Sequence, residues 1–179
     1  MNTYNLSTER LLIKPITQND LNYVHTLHSL PEVDQFNTLG IPENIRDTSA
    51  ILDKWITENS LKNTRSFTFT IGLQTCQKCI GIIGITLGKP KYNNAEIWFK
   101  FHPAYWNKGY ATEAVNAILE FGFNTLQLHR IEAGSATGNI GSIKVLEKAG
   151  MIREAHTRQL LPLQSGWSDN YGYAKLATD

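Results

Sequence analysis

Residues 95–122 dictate more local structure than any other stretch of this chain. An apolar, strand-like run over 95–102 ends at the helix-disfavouring Pro103. Tyr105-Trp106-Asn107-Lys108-Gly109-Tyr110 then leads into Ala111, Ala114, Val115, Ile118, Leu119 and Gly122, apolar positions at the i, i+3, i+4, i+7 spacing of a helix. A strand, a short turn and a helix start make an anion site, because the first backbone N–H groups of a helix lack internal partners and carry partial positive charge. Gly109 and Ala111 are small enough to let a phosphate approach those groups, and Lys108 adds a cation. An ordinary strand-to-helix corner has the same appearance, so this stretch needs a second signal.

That signal is Asn139-Ile140-Gly141-Ser142 followed by Lys144-Val145-Leu146-Glu147-Lys148-Ala149-Gly150-Met151. The two stretches together resemble the GNAT superfamily of acetyl-CoA-dependent N-acetyltransferases. The opening Ser7-Thr8-Glu9-Arg10-Leu11-Leu12-Ile13 resembles the branch that acetylates ribosomal-protein N-termini. The resemblance implies an α/β (α+β) fold with a mixed, mostly antiparallel central sheet, helices on both faces and a splayed parallel strand pair. It also implies acetyl-CoA as co-substrate, with Phe101, Trp106, Asn107, Lys108, Gly109, Tyr110, Ala111, Thr112 and Asn139 as the cofactor-binding residues. Three positions depart from the family pattern. Trp106 stands where Gln or Arg is general, and Asn107 where Gly is usual, though Asn tolerates left-handed backbone best among residues with a side chain. A gap-free count also puts Leu161 where some ribosomal-protein enzymes carry a further Glu.

Read in order, 9–15 is a first strand, and Thr17-Gln18-Asn19-Asp20 is a capping box opening a helix with Leu21, Val24 and Leu27 on one face. His25 and His28 share that helix as solvated or satisfied side chains. Residues 29–46 read as irregular, and Asp47 or Thr48 as the cap of a second helix turning Ile51 and Trp55 inward, with Leu52 and Ile56 as further candidates for that face. Strands follow at 67–71, 80–87 and 92–102, with 80–87 central because it is apolar on both faces. A helix over 110–126 links 95–102 to a strand at 130–136, so those two strands are expected to be parallel. A helix at 139–150 and an antiparallel pair, 151–161 and 170–176, close the chain around a loop at 162–169.

The 179 residues make one domain, residues 1–179, large enough for a core without disulfides. A net charge of +1 gives no case for nucleic acid or an anionic membrane. No apolar run reaches the ~20 residues of a membrane span, and the basic and apolar regions of a signal peptide are missing, so the expected compartment is the cytoplasm. Cys76 and Cys79 lie between two strand-like runs without further ligands, which suits a hairpin turn better than a metal or redox site. No metal is expected, and a homodimer is left open.

Acetylation of an amine by a thioester requires a neutral amine, a donor for the oxyanion and a proton for the leaving sulfur. Glu96, at the start of the strand leading to the turn, is the candidate base; the competing reading is a solvent-facing strand residue. The oxyanion donor is expected to be a backbone N–H near Lys100–Phe101, where the family strand bulges. Ser142 is the candidate donor to the sulfur and Asn139 the partner of the pantetheine arm, although a helix N-cap explains Asn139 equally well. In the resembling fold the segment between the first two helices walls the acceptor cleft, which makes Phe36 and Asn37 the candidate substrate-binding residues. The expected acceptor is a protein or peptide N-terminal amine. A small amine (polyamine or antibiotic) is the alternative, as is a non-catalytic acyl-CoA-binding sensor. Only Glu32, Asp34 and Glu43 are acidic in that segment, which weighs mildly against polycations.

Overall fold

The computed structural model describes residues 4–179. In chain order the elements are β1 Leu6–Ser7, β2 Leu11–Pro15, α1 Leu21–His28, α2 Pro31–Asp34, α3 Ile45–Ser60, β3 Ser66–Leu73, β4 Cys79–Leu87 and β5 Asn94–Phe101. They continue with α4 Tyr110–Glu120, β6 Arg130–Ala136, α5 Ile140–Lys148, β7 Ile152–Leu163 and β8 Gly166–Leu176. One eight-stranded sheet runs β1-β2-β3-β4-β5-β6-β8-β7. All its pairs are antiparallel except β5 with β6, whose connection passes through α4.

Period-two alternation sorts the strand side chains onto two faces. On one face Ile82 and Trp98 pack with Val24 and Leu27 of α1 and with Leu52 and Trp55 of α3. On the other, Ile83, Ile85, Ile97 and Phe101 pack against Ala114, Val115 and Ile118 of α4 and against Ile143 and Leu146 of α5. Each fully buried aliphatic side chain contributes about 1.5–3 kcal/mol by burial. The apolar stripe of α4 therefore anchors that helix and holds its N-terminus against the end of β5. A π-helical turn, Phe121–Thr125, extends α4 before β6 begins.

The mixed sheet, helices on both faces and parallel pair match the expected architecture, and β6 falls on the expected residues. Several expectations are corrected. The 29–46 segment contains the short helix α2, begun by Pro31 at a position where its missing N–H costs nothing. Asn44 rather than Asp47 or Thr48 caps α3, and Asp47 is the third residue of a capping box, accepting from Asn44 N at 3.1 Å. Within α3 the fully buried side chains are Thr48 and Leu52, with Ile51 and Trp55 half-buried. The closing pair is a long hairpin in which Leu163 pairs with Gly166, and Pro162 is tolerated because β7 is the edge strand. His28 is neither solvated nor satisfied: it is 2% exposed and neither ring nitrogen has a hydrogen-bond partner. Its partner on that helix, His25, is half-buried and shares a 2.8 Å hydrogen bond with Thr48 Oγ1.

Among the described residues, no helix is long and apolar enough to cross a membrane. Among the described residues, no three His, Cys, Asp or Glu side chains gather where they could hold a metal ion. Cys76 lies in the β3–β4 connection and Cys79 opens β4, and both are free thiols.

Candidate active site

The site begins with the hydrogen-bond parity of β5. His102 N donates to Ile80 O at 3.0 Å and Gly88 N to Asn94 O at 2.8 Å, so the even-numbered residues between them bond to β4. Odd-numbered residues direct their N–H and C=O toward β6 instead. The parallel pairing covers only Asn94–Glu96 against Arg130–Glu132, and beyond it the strands part. Phe99 and Phe101 therefore turn their backbone groups into an open gap. The bulge expected at Lys100–Phe101 is absent, because β4 and β5 keep one unbroken register from Ala95 to Phe101. Parity alone delivers the free N–H, and it assigns it to the odd-numbered phenylalanines rather than to Lys100.

The turn after β5 is held by its own side chains. Trp106 Nε1 donates to Phe101 O at 2.7 Å, tying the loop to the strand end. Asn107 adopts φ 58° and Gly109 φ 81°, so Asn107 does occupy the left-handed region expected of it. Gly109 N-caps α4 without a side-chain cap, leaving the first-turn N–H groups unpartnered by any cap. Lys108 is committed elsewhere: its ammonium donates to Ala104 O at 2.8 Å and lies 5.6 Å from the centre of the Tyr105 ring. Across the gap, Asn139 Oδ1 accepts from Ser142 N at 3.0 Å, the N-cap arrangement that opens α5.

A cleft of about 1100 Å³ joins these parts. Its lining brings together Glu96, Phe101, Trp106, Asn107, Gly109, Ala111, Thr112, Asn139, Ser142, Phe36 and Asn37. Lys108 and Tyr110 do not line it. The orphan N–H groups at α4, the small Gly109 and Ala111, and the strand gap form a groove suited to a pyrophosphate followed by an extended amide-bearing arm.

Glu96, Trp98 and Lys100 alternate along β5 onto the face toward α1 and α3, and all three line the cleft. Glu96 is exposed at the cleft surface, as the competing solvent-facing reading expects. The protein around it still strips part of its hydration and raises its pKa, and the Glu132 carboxylate, its register partner on β6, raises it further. Burial lowers Lys100 to about 8, opposed by the charge of Asp34. Burial also lowers His28 to about 3, with Lys100 and His25 adding repulsion.

Sequence reading missed Lys54, Trp55 and Glu58 of α3, the side chains of Trp98 and Lys100 of β5, and Leu160 of β7 as cleft residues. The β5 pair was findable: once Glu96 is placed in a cleft, positions two and four residues on share its face. Leu161 lines the wall but brings no carboxylate there. The acidic side chains of the lining are Glu32, Glu58 and Glu96, so the weighing based on Glu32, Asp34 and Glu43 is revised; Asp34 is buried and Glu43 lies in a separate hollow beside His28.

A family model described as the acetyltransferase (GNAT) domain matches residues 10–152. The uncharacterized N-acetyltransferase YnaD of Bacillus subtilis (strain 168) is 34% identical over 174 residues, 96% of this chain and 96% of that protein. A solved GNAT-family acetyltransferase from Bacillus anthracis is 32% identical with a TM-score of 0.86, covering 98% of this chain and 100% of that one. Two further structures share the fold at 19% identity. One is ribosomal-protein-S5-alanine acetyltransferase from Vibrio fischeri, TM-score 0.86, covering 98% of both chains. The other is spermidine N-acetyltransferase from Vibrio cholerae with CoA and spermine, TM-score 0.84, covering 96% of this chain and 98% of that one. The chain belongs to the GNAT acetyltransferase family. It is an N-acetyltransferase, and enzymes of this family take their acetyl group from acetyl-CoA.

Proposed function

We propose that this enzyme transfers the acetyl group of acetyl-CoA to the primary amine at a protein or peptide N-terminus, by direct attack of the amine on the thioester. The observation that carries the reading is the continuous cleft from the α4 N-terminus, through the gap beside Phe99 and Phe101, to Glu96. Residues 1–179 act as one such domain. The cytoplasm as its compartment belongs to the same proposal.

In this reading the first-turn N–H groups of α4, with Asn107 and Gly109 in left-handed geometry, receive the pyrophosphate. The pantetheine arm lies in the strand gap near Asn139 and Ser142. Glu96 takes a proton from the ammonium form of the acceptor, so that nitrogen presents a lone pair. As the N–C bond forms and the C–S bond breaks, negative charge on the carbonyl oxygen is met by the backbone N–H of Phe99 or Phe101. Ser142 donates a hydrogen bond to the departing sulfur. A serine hydroxyl is too weak an acid to surrender its proton to a thiolate, so the proton the sulfur finally gains is the one nitrogen releases.

The acceptor half of the cleft is lined by Glu32, Glu58 and Glu96 against Lys54 and Lys100, with the Trp55 and Trp98 rings 5.3 Å apart and tilted by 31°. Three carboxylates against two ammonium groups make a mixed surface, which suits a peptide carrying one amine and several amides. The same three carboxylates support a second reading, a small polycationic amine as acceptor. Thiol release from acetyl-CoA, measured with peptides of varied N-terminal residue beside spermidine and monoamines, separates the two. Peptide kcat/KM above that of every small amine is expected; faster turnover of spermidine than of any peptide would move the assignment to polyamines.

A further inference from the structure

Glu113 stands in the first turn of α4, where the helix end favours a carboxylate. A pyrophosphate at that same helix end would be repelled by it. The structure shows how this charge is handled. Glu113 Oε1 accepts from Thr8 Oγ1 at 2.5 Å and from Arg10 N at 2.9 Å, while Oε2 accepts from Arg10 Nε at 2.6 Å. Leu11 N donates to Thr8 Oγ1 at 3.0 Å and fixes that hydroxyl in turn.

The guanidinium reaches further. Arg10 Nη1 donates to Lys108 O at 3.1 Å, and its carbon lies 4.6 Å from the centre of the Tyr110 ring. It thus touches the residue before Gly109, the residue after it and the carboxylate one turn into the helix. A Cβ on Gly109 would lie 3.3 Å from Arg10 Nη2, so the turn runs directly against this side chain. The hydrogen bonds outweigh the effect of burial and hold the Glu113 pKa below the usual carboxylate value, so the group stays ionised and needs a counter-charge.

We propose that Arg10, aligned with Thr8 on Glu113, is a positioning residue for acetyl-CoA: it sets the Asn107–Gly109 turn and cancels the Glu113 charge, so that the α4 N-terminus faces the pyrophosphate as a net positive site. The proposal rests on the acetyl-CoA site described above. It gives the Thr8-Glu9-Arg10 stretch a task in cofactor binding, although about a hundred residues separate it from the turn.

The test is calorimetric titration of CoA at low salt into the wild-type, Arg10→Met and Arg10→Met/Glu113→Gln proteins, each checked by circular dichroism and melting. A newly uncompensated carboxylate beside two phosphates should weaken CoA binding by about 10- to 100-fold in Arg10→Met. The KM for acetyl-CoA should rise, while kcat at saturation stays within about 3-fold of wild type. Adding Glu113→Gln removes the offending charge and should restore most of the lost affinity, which a purely packing role for Arg10 does not predict. If Arg10→Met does not fold, Arg10→Gln and Arg10→Gln/Glu113→Gln make the same comparison, because glutamine removes the charge while keeping a side chain able to donate hydrogen bonds to Lys108 O and Glu113. No CoA binding by the wild-type protein would sink the cofactor site itself. Binding by the wild type with equal affinity in Arg10→Met, or a loss that Glu113→Gln fails to rescue, would overturn the role assigned to Arg10 alone.

Discussion

Replacing Glu96 with Gln preserves the shape of the side chain at the cleft and removes its basicity. Glu96 lies where the parallel pairing of β5 with β6 ends, on the cleft face shared with Trp98 and Lys100. General-base assistance is worth about 10²–10⁴-fold, or roughly 2.7–5.4 kcal/mol of barrier at 1.36 kcal/mol per tenfold. Turnover at saturating acetyl-CoA should fall by that factor with CoA affinity unchanged. The pH profile carries the sign. Lost hydration and then Glu132 raise the Glu96 pKa, so the active, ionised form is lost sooner as pH falls. The acid limb of kcat/KM should therefore lie above the ordinary carboxylate range. Glu132→Gln, which removes one of the two causes, should move that limb to lower pH. In Glu96→Gln the rate should climb with pH as the acceptor supplies its own free amine, giving partial rescue near about pH 8–9 for an N-terminal α-amine. Free-thiol release followed from about pH 6 to 10 reads all of this. A Glu96→Gln enzyme with wild-type rate and wild-type profile would refute the base assignment and leave Glu96 a strand residue facing solvent.

Two further outcomes follow from backbone geometry and burial. Because Asn107 sits at φ 58°, Asn107→Gly should keep or improve CoA affinity, whereas Asn107→Val should lose about 5–30-fold, the equivalent of the ~1–2 kcal/mol left-handed penalty; equal affinities in titrations of all three proteins would show that this geometry is irrelevant to binding. His28 titrates near 3 in the fold and near 6.5 when unfolded, so acidification below about pH 6.5 protonates the unfolded chain first and destabilises the fold; between about pH 6.5 and 5, His28→Phe should remove up to about 1.4 kcal/mol per pH unit of that slope in urea melts, and identical slopes would mean His28 is not buried as a neutral ring.

How much of this was legible in the sequence depended on how local the determining contacts are. The β5–turn–α4 unit was readable because apolar period, Pro103, Asn107 and Gly109 all act within one short stretch. The parallel partner β6 followed from the intervening helix. The clasp between Arg10 and Glu113 was invisible, since it joins residues 103 apart and each alone looks like a surface charge. His28 was misread for a related reason: its helix position says nothing of the sheet packed beneath it, and Trp55, 6.0 Å away, comes from another helix. The β7–β8 hairpin ran past its expected ends because Pro162 looks like a strand terminator until the strand is known to lie at the sheet's edge. Glu96 was chosen from the family resemblance, and the period of two along the strand would then have put Trp98 and Lys100 on the same cleft face.

The central claim is that the N-terminus of α4 and the adjoining turn form the acetyl-CoA site, and titration calorimetry of CoA into the wild-type and Gly109→Val proteins tests it most directly. Gly109 holds φ 81°, a conformation a β-branched residue resists, and an added Cβ would press on Arg10 Nη2 at 3.3 Å, so valine would shift the turn that presents the helix-end N–H groups. The account predicts saturable binding with one CoA per chain in the wild type, a raised melting temperature in its presence, and loss of both in a Gly109→Val protein that keeps its circular dichroism spectrum. Undiminished binding by a folded Gly109→Val protein, or no binding by the wild type at millimolar CoA, would contradict it.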